Sequence, residues 1–424
     1  MIELFIIADD ITGAIDTGIQ FTKSGASTQV VTELELTGVD PEVQVLVWDA
    51  ETRHLPPERA KAVVKAAVGK ALVAGVRRIY KKTDSALRGN IGAELEAVCE
   101  ATGDFLHFFP AFPQLDRVTV QGIQYIKGVP VAQSVFGKDP FEPVTSSSVP
   151  AIIEKEATIP VRLMGLDLDP GSLQKPAVLL YDSETPEQME KMARALLERG
   201  ELHCCAGCAG LASVLPSLLG FRGTGPGLPV LPAPLLACCG SLNPITLRQL
   251  DQAEKSGMLR IHLPEESKRE PGWNRRPEAR RQLEQWKAQC LRRGALLLDS
   301  NESAGTEVPA GQGKSLEKTR KQIAQNLGSI VRTLVDQGLE ATLLLTGGDT
   351  LLGFLEQVGV TRLTPVCEVM PGVVLSRFQY GGTRYVISKS GGFGDVRLME
   401  TVRRFIADSR TDRREAVPLS KPAV

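Results

Sequence analysis

The stretch IADDITGAID, beginning at Ile7, sets two adjacent carboxylates, Asp9 and Asp10, directly after the apolar run Leu4-Phe5-Ile6-Ile7-Ala8. Thr12, Gly13 and a third acid, Asp16, follow at once. Charge at the end of a buried strand is costly unless it is paired or binds something. Two later apolar runs end in the same way. Residues 43–48 lead to Asp49, Thr52 and Arg53, and residues 78–80 lead to Lys81, Lys82, Asp84 and Ser85. Arg88, Gly89 and Asn90 come next and open a helix pattern, whose first amides suit an anion. Carboxylates accept hydrogen bonds from hydroxyl groups, and an arginine fork matches a carboxylate bidentately. Together these groups describe a pocket for a polyhydroxy acid, with one aspartate available as general base toward a hydroxyl. Taken singly, each residue reads equally well as a salt bridge or a helix cap. The density of charge and hydroxyl groups in KKTDSALRGN turns the reading toward a site.

The second half carries a different chemistry. CCGSLNPIT (residues 238–246), LLTGGDT (344–350) and SKSGGFGD (388–395) each follow or meet an apolar run. Strand, small residues and helix start, in that order, bring backbone N–H groups close to phosphate oxygens. None of the three is a Walker loop or a clean G-x-G-x-x-G. Lys389, just ahead of Gly391 and Gly392, either meets a phosphate or is solvated. HCCAGCAG, from His203, has no second Cys/His cluster at zinc spacing, so it reads as buried thiols before a helix at Leu211. The four histidines form no motif, and no metal ligands are assigned.

The elements that must position these groups alternate between strand-like and helix-like patterns. Helices are expected over residues 13–23, 56–73, 91–101 and 246–255. Strands are expected at 4–8, 43–48, 78–80, 105–109, 235–239, 295–298, 342–345 and 385–387. Such alternation predicts an α/β protein of two domains, each a mainly parallel sheet flanked by helices, with an active-site cleft between them. Residues 118–131, with polar and apolar positions interleaved around Gly122 and Gly128, predict an antiparallel excursion. The Gly/Pro-rich stretch 219–235 reads as a linker between a first domain at 1–218 and a second at 236–407. The stretch from Pro264 reads as a charge-rich loop running into a helix start, and residues 408–424 as an unstructured tail.

At 424 residues, 42% hydrophobic and 23% charged, the chain is long enough for two cores. Its 49 basic and 50 acidic residues leave a net charge of -1, which gives no footprint for nucleic acid or an anionic membrane. The N-terminal residues run straight into a strand with no signal-peptide pattern, which predicts a cytoplasmic protein with reduced cysteines. A homo-oligomer is compatible with the sequence.

IADDITGAIDTG, KKTDSALRGNIGAELEA, GSLNPITLRQ, LTGGDT and SKSGGFG, in this order, resemble the four-carbon acid sugar kinase family. The likeness spans the chain to about residue 405. It implies an N-terminal domain that binds a sugar acid and a C-terminal domain that binds ATP with Mg2+. The implied reaction phosphorylates the terminal hydroxyl of threonate, erythronate or 3-oxo-tetronate. By position, Asp9, Asp10, Arg53, Lys82, Asp84 and Arg88 would surround the acid, with Asp10 or Asp84 as base. Ser241, Thr346, Gly347, Gly348, Asp349, Gly391 and Gly392 would surround the nucleotide. The KKTDSALRG form is similar to the threonate/erythronate branch, which makes those acids the preferred substrates and 3-oxo-tetronate the alternative. Where the family usually has Gly-Arg, this chain has Asp116-Arg117, and an aspartate there is expected to reshape the pocket edge.

Two rival readings differ in class. A dehydrogenase would need a glycine-rich first turn, whereas here Asp9 and Asp10 would repel a pyrophosphate. A sensor without catalysis would bind the acid and release no ADP.

Overall fold

In the first unit, apolar runs form β1 (Leu4–Ala8), β2 (Thr28–Val31), β3 (Val45–Asp49), β4 (Ile79–Lys82) and β5 (Phe105–Phe109). They continue with β6 (Arg117–Val120), β7 (Ile123–Ile126), β8 (Val129–Pro130), β9 (Val161–Leu163), β10 (Ala177–Leu180) and β11 (Cys204–Gly207). The helices between them are α1 (Ile11–Thr22), α2 (Pro57–Val73), α3 (Ile91–Thr102), α4 (Val149–Glu154), α5 (Pro186–Glu198) and α6 (Ala209–Leu218). The computed structural model describes residues 2–139, 142–165, 169–301 and 314–411. It divides into Met1–Pro226 and Gly227–Val424, a break inside the Gly/Pro-rich stretch.

The first unit's main sheet runs β2-β3-β1-β4-β11-β5-β10-β9. Its pairings are parallel. Helix α2 packs on α3 and α3 on α4, while α1 packs on α6 and α6 on α5, so helices pack as two groups. Strand alternation divides the core: Phe5 and Ile7 pack with Val64, Val68, Leu95 and Val98 of α2 and α3. From β1 the chain first forms β2 and β3 on one side of the strand, with β3 beside β1 and β2 beyond it, and then crosses to β4 on the other. That reversal makes the carboxyl end of β1 a switch point, where open parallel sheets bind their ligands. Strands β6, β7 and β8 form the expected antiparallel excursion. Gln121 and Gly122 turn its first hairpin at φ 50° and 71°.

The second unit holds β12 (Leu235–Cys239), β13 (Leu259–His262), β14 (Ala295–Asp299), β15 (Thr342–Thr346), β16 (Arg362–Met370), β17 (Val373–Gln379) and β18 (Thr383–Lys389). Its helices are α7 (Pro244–Lys255), α8 (Glu265–Arg269), α9 (Pro277–Arg293), α10 (Lys314–Asp336), α11 (Gly348–Val358) and α12 (Leu398–Thr411). The sheet order is β13-β14-β12-β15-β18-β17-β16. It is parallel as far as β18 and antiparallel beyond it. Here β12 is the strand from which the chain reverses, since β14 lies on one side and β15 on the other.

Two expectations need correction. Helix α12 runs on to Thr411, past Asp408, because Val402, Ile406 and Ser409 continue a buried stripe at helical spacing. Ser409 also accepts the Leu231 amide through its hydroxyl, 3.1 Å away. The rest of the expected tail lies outside the described residues. The charged stretch from Pro264 contains α8, which buries Ser267 and Lys268. Among the described residues, no helix is long and apolar enough to cross a membrane.

Candidate active site

Asp10 caps α1: its backbone is extended, and its Oδ1 accepts the Gly13 amide at 2.8 Å. The Thr12 hydroxyl donates to Oδ2 of the same carboxylate at 2.8 Å. Capping fixes both aspartates at the carboxyl edge of β1, beside Asp49 on β3 and Lys82 on β4. Arg53, on the loop after β3, donates from Nε to Asp9 Oδ2 and from Nη1 to Asp10 Oδ2, each at 2.7 Å. Its Nη2 is 2.6 Å from Asp9 Oδ2 and 3.9 Å from Asp84 Oδ1. Lys82 Nζ approaches Asp9 Oδ1 at 3.5 Å.

Asp84 is held from all sides. Arg88 grips it bidentately, Nε to Oδ2 at 2.9 Å and Nη2 to Oδ1 at 3.1 Å. The amides of Ala86 and Arg88 add bonds to Oδ2, each at 3.2 Å. The site therefore brings Asp9, Asp10, Arg53, Lys82, Asp84 and Arg88 into one connected network.

Burial alone would raise the pKa of these acids, and the cations decide the outcome. For Asp9, 2% exposed, Arg53 and Lys82 outweigh burial and hold the carboxyl at about 2. For Asp84, Arg88 and Arg53 outweigh burial and hold it well below the usual carboxylate range. Asp49 goes the other way: burial, with Glu51 and Asp10 nearby, pushes it well above that range. Gly13 is required by close approach. A Cβ there would lie 2.2 Å from Lys82 Nζ and 2.5 Å from Asp10 Oδ1.

Several further residues, noted in the sequence without an assigned role, support this network. Lys81 is buried in an ion pair with Glu94 at 2.9 Å. The Asn90 side chain ties down the Arg53 loop through the carbonyls of Thr52 and Leu55, each at 2.8 Å. Arg117 donates to the Ser85 hydroxyl, and Arg88 and Arg117 each lie 5.3 Å from the centre of the Phe136 ring. The only signal for Arg117 was its neighbour. Asp116 is exposed and takes φ 54°, the left-handed conformation in which glycine is favoured and Asp is tolerated. The replacement is thus accommodated by the backbone, with the aspartate side chain exposed.

In the second unit, the loops after β12, β15 and β18 converge. Asn243 caps α7 by accepting the Ile245 amide at 2.9 Å, and Ser241 Oγ accepts the Asn243 amide at 3.3 Å. Gly347 starts α11 with no side-chain cap, which leaves the first amides of that helix for another acceptor. Its own amide bonds the Lys389 carbonyl at 3.0 Å. A Cβ on Gly391 would lie 2.5 Å from Ser241 Oγ and 2.8 Å from Asn243 Cβ. Ser241, Gly347 and Gly391 are therefore neighbours at one sheet edge. Asp349 instead turns to Arg320, 3.5 Å away. Lys389 is buried, not solvated. Among the described residues, no group of three or more acidic, His or Cys side chains is arranged to hold a metal ion.

Two α/β units, each built on a mainly parallel sheet with polar groups gathered at a switch point, define a two-domain α/β protein. A sugar-binding N-terminal domain model matches residues 4–215, and a nucleotide-binding C-terminal domain model matches residues 236–399. The chain belongs to the four-carbon acid sugar kinase family. It is 29% identical over 411 residues to a D-threonate kinase of Salmonella typhimurium, covering 92% of this chain and 95% of that one. It is 24% identical over 416 residues to a 3-oxo-tetronate kinase of Methylobacterium radiotolerans, covering 92% and 95%. A crystal structure of a Salmonella typhimurium LT2 protein shares the fold at TM-score 0.77 and 20% identity, over 95% of this chain and 99% of that one.

Proposed function

We propose that this protein is an ATP-dependent kinase that phosphorylates the terminal hydroxyl of a four-carbon sugar acid, D-threonate or D-erythronate, to the 4-phosphate. The observation that carries this reading is the Arg53 guanidinium bonded to both Asp9 and Asp10 beside Lys82, at the switch point of the first unit. Asp9, Asp10 and Asp84 supply acceptors for hydroxyls, while Arg53, Lys82 and Arg88 supply charge for the carboxylate and the transferring group. In the second unit, the amides around Ser241, Gly347, Gly348 and Gly391 receive the phosphates of ATP. The close packing of Gly391 on Ser241 suits a loop on which a phosphate rests against backbone. Mg2+ would enter with the nucleotide, held by its phosphates.

Asp10 is the better candidate for the base. Asp84 spends both oxygens on arginine and is held well below the usual range, which makes it a weak proton acceptor. Asp10 is also the most exposed of the three acids, at 17% for its side chain. In the transfer, the hydroxyl oxygen bonds the γ-phosphorus as the bond to the β,γ-bridging oxygen breaks. ADP leaves with that electron pair, and the hydroxyl proton passes to Asp10. Positioning and electrostatics supply most of the rate.

Coupled ADP release with Mg-ATP tests the reading against D- and L-threonate, D- and L-erythronate, 3-oxo-tetronates and glycerate. Turnover of D-threonate or D-erythronate above the others is expected. Preference for a 3-oxo-tetronate would move the chain to the alternative substrate. Tight acid binding without ADP release would favour a sensor.

A further inference from the structure

The three acceptors around Lys389 Nζ are all neutral: Thr246 Oγ1 and Gln249 Oε1 at 2.8 Å, and the Gly391 carbonyl at 3.3 Å. The side chain is 1% exposed. A buried ammonium with no counter-anion is costly, and proteins keep one where an anion will arrive. Three carboxylates of the same sheet end and its loops bind other groups. Asp299 is bound to Arg260 at 2.6 Å, Asp349 lies against Arg320, and Asp395 accepts the Arg397 amide at 2.8 Å. The titratable group that faces the ammonium is the Cys239 thiol of β12, which burial pushes up to about 12.

Lys389 also joins two of the three phosphate-side loops. Thr246, on the first turn of α7, donates its hydroxyl to the Gly391 carbonyl at 2.9 Å while accepting from Lys389. Gln249 fastens the Phe393 and Asp395 carbonyls at 3.0 and 2.9 Å. One cation thus joins the GSLNPIT and SKSGGFG segments through Thr246 and Gly391, the glycine that packs against Ser241.

We infer that Lys389 is the positioning residue of the nucleotide site, clamping the two loops and supplying from below the positive charge that the ATP phosphates complete. The role rests on the nucleotide reading of the second unit. It makes ATP affinity sensitive to pH. Burial lowers the ammonium to about 8, and a bound polyphosphate raises it again, so ATP binding takes up a proton above that pH. Cys239 stays neutral across this window.

The test is Mg-ATP binding by calorimetry on the full chain from about pH 7 to about pH 9.5, for the natural protein, Lys389→Met and Lys389→Arg. The natural protein should weaken about tenfold across the range. Lys389→Met, checked by its thermal unfolding, should bind weakly at both ends with no such slope. Lys389→Arg should recover affinity without the slope, since its charge persists. A natural protein whose affinity is flat with pH, or a Met variant that matches it throughout, would overturn the role. Failure of the natural protein to bind ATP at any pH would overturn the nucleotide reading itself, and this role with it.

Discussion

Arg53 joins Asp9 to Asp10: one guanidinium donates 2.7 Å bonds to both carboxylates while its far nitrogen lies 3.9 Å from Asp84. The arrangement needs a planar fork, which lysine lacks. Arg53→Lys should therefore fold but lose at least about a hundredfold in kcat/KM for the sugar acid, the scale of a small misplacement. Arg53→Ala should in addition cost about 3 kcal/mol of stability, because it leaves Asp9 buried with too little positive charge. Urea unfolding beside steady-state kinetics separates the two effects.

The assignment of the base separates Asp10 from Asp84. Asparagine caps a helix as well as aspartate does, so Asp10→Asn keeps the start of α1. Its kcat should fall by about 10²–10⁴-fold with little change in melting temperature. Asp84→Asn leaves Arg53 and Arg88 short of negative charge, and should raise KM and lower stability together. The opposite pattern would make Asp84 the base.

Acid stability follows from Asp9. Its folded pKa, about 2, lies below the ordinary 3.8, so its stabilising contribution is complete above pH 4 and fades as the pH falls toward 2. That contribution is about 2 kcal/mol. Lys82→Met removes one of the cations that hold it down and should move the loss to higher pH. Urea titrations at successive pH values measure both curves.

Gly391→Ala probes the second unit. The added Cβ meets Ser241 Oγ at 2.5 Å and Asn243 Cβ at 2.8 Å, and neither belongs to a long flexible side chain. The two loops must part, and affinity for ATP should drop at least about tenfold, a loss of about 1.4 kcal/mol. Calorimetry with D-threonate should show the acid bound as before.

The sequence announced the rim most clearly, because charge following a buried run has few explanations. Asp9, Arg53 and Lys82 were legible for that reason. Strand order was not. Cys204–Gly207 read as buried thiols, correct as to burial, yet it is β11, inserted between β4 and β5. Four small residues carry no period, and their partners lie about a hundred positions away or more, so only tertiary packing reveals them. The two readings of Lys389 could not be separated for a related reason: a lysine beside two glycines can look solvated until α7 is seen to cover it. Arg117 reaches Ser85 only once the hairpin that carries it has folded back.

The most direct measurement is the identity of the product from D-threonate and Mg-ATP, by phosphorus NMR with correlation to the sugar-acid protons. The account predicts one new phosphate ester coupled to the C4 methylene protons, formed in step with ADP and absent with Asp10→Asn. A phosphate on any other oxygen, or ADP formed with inorganic phosphate alone, would contradict it.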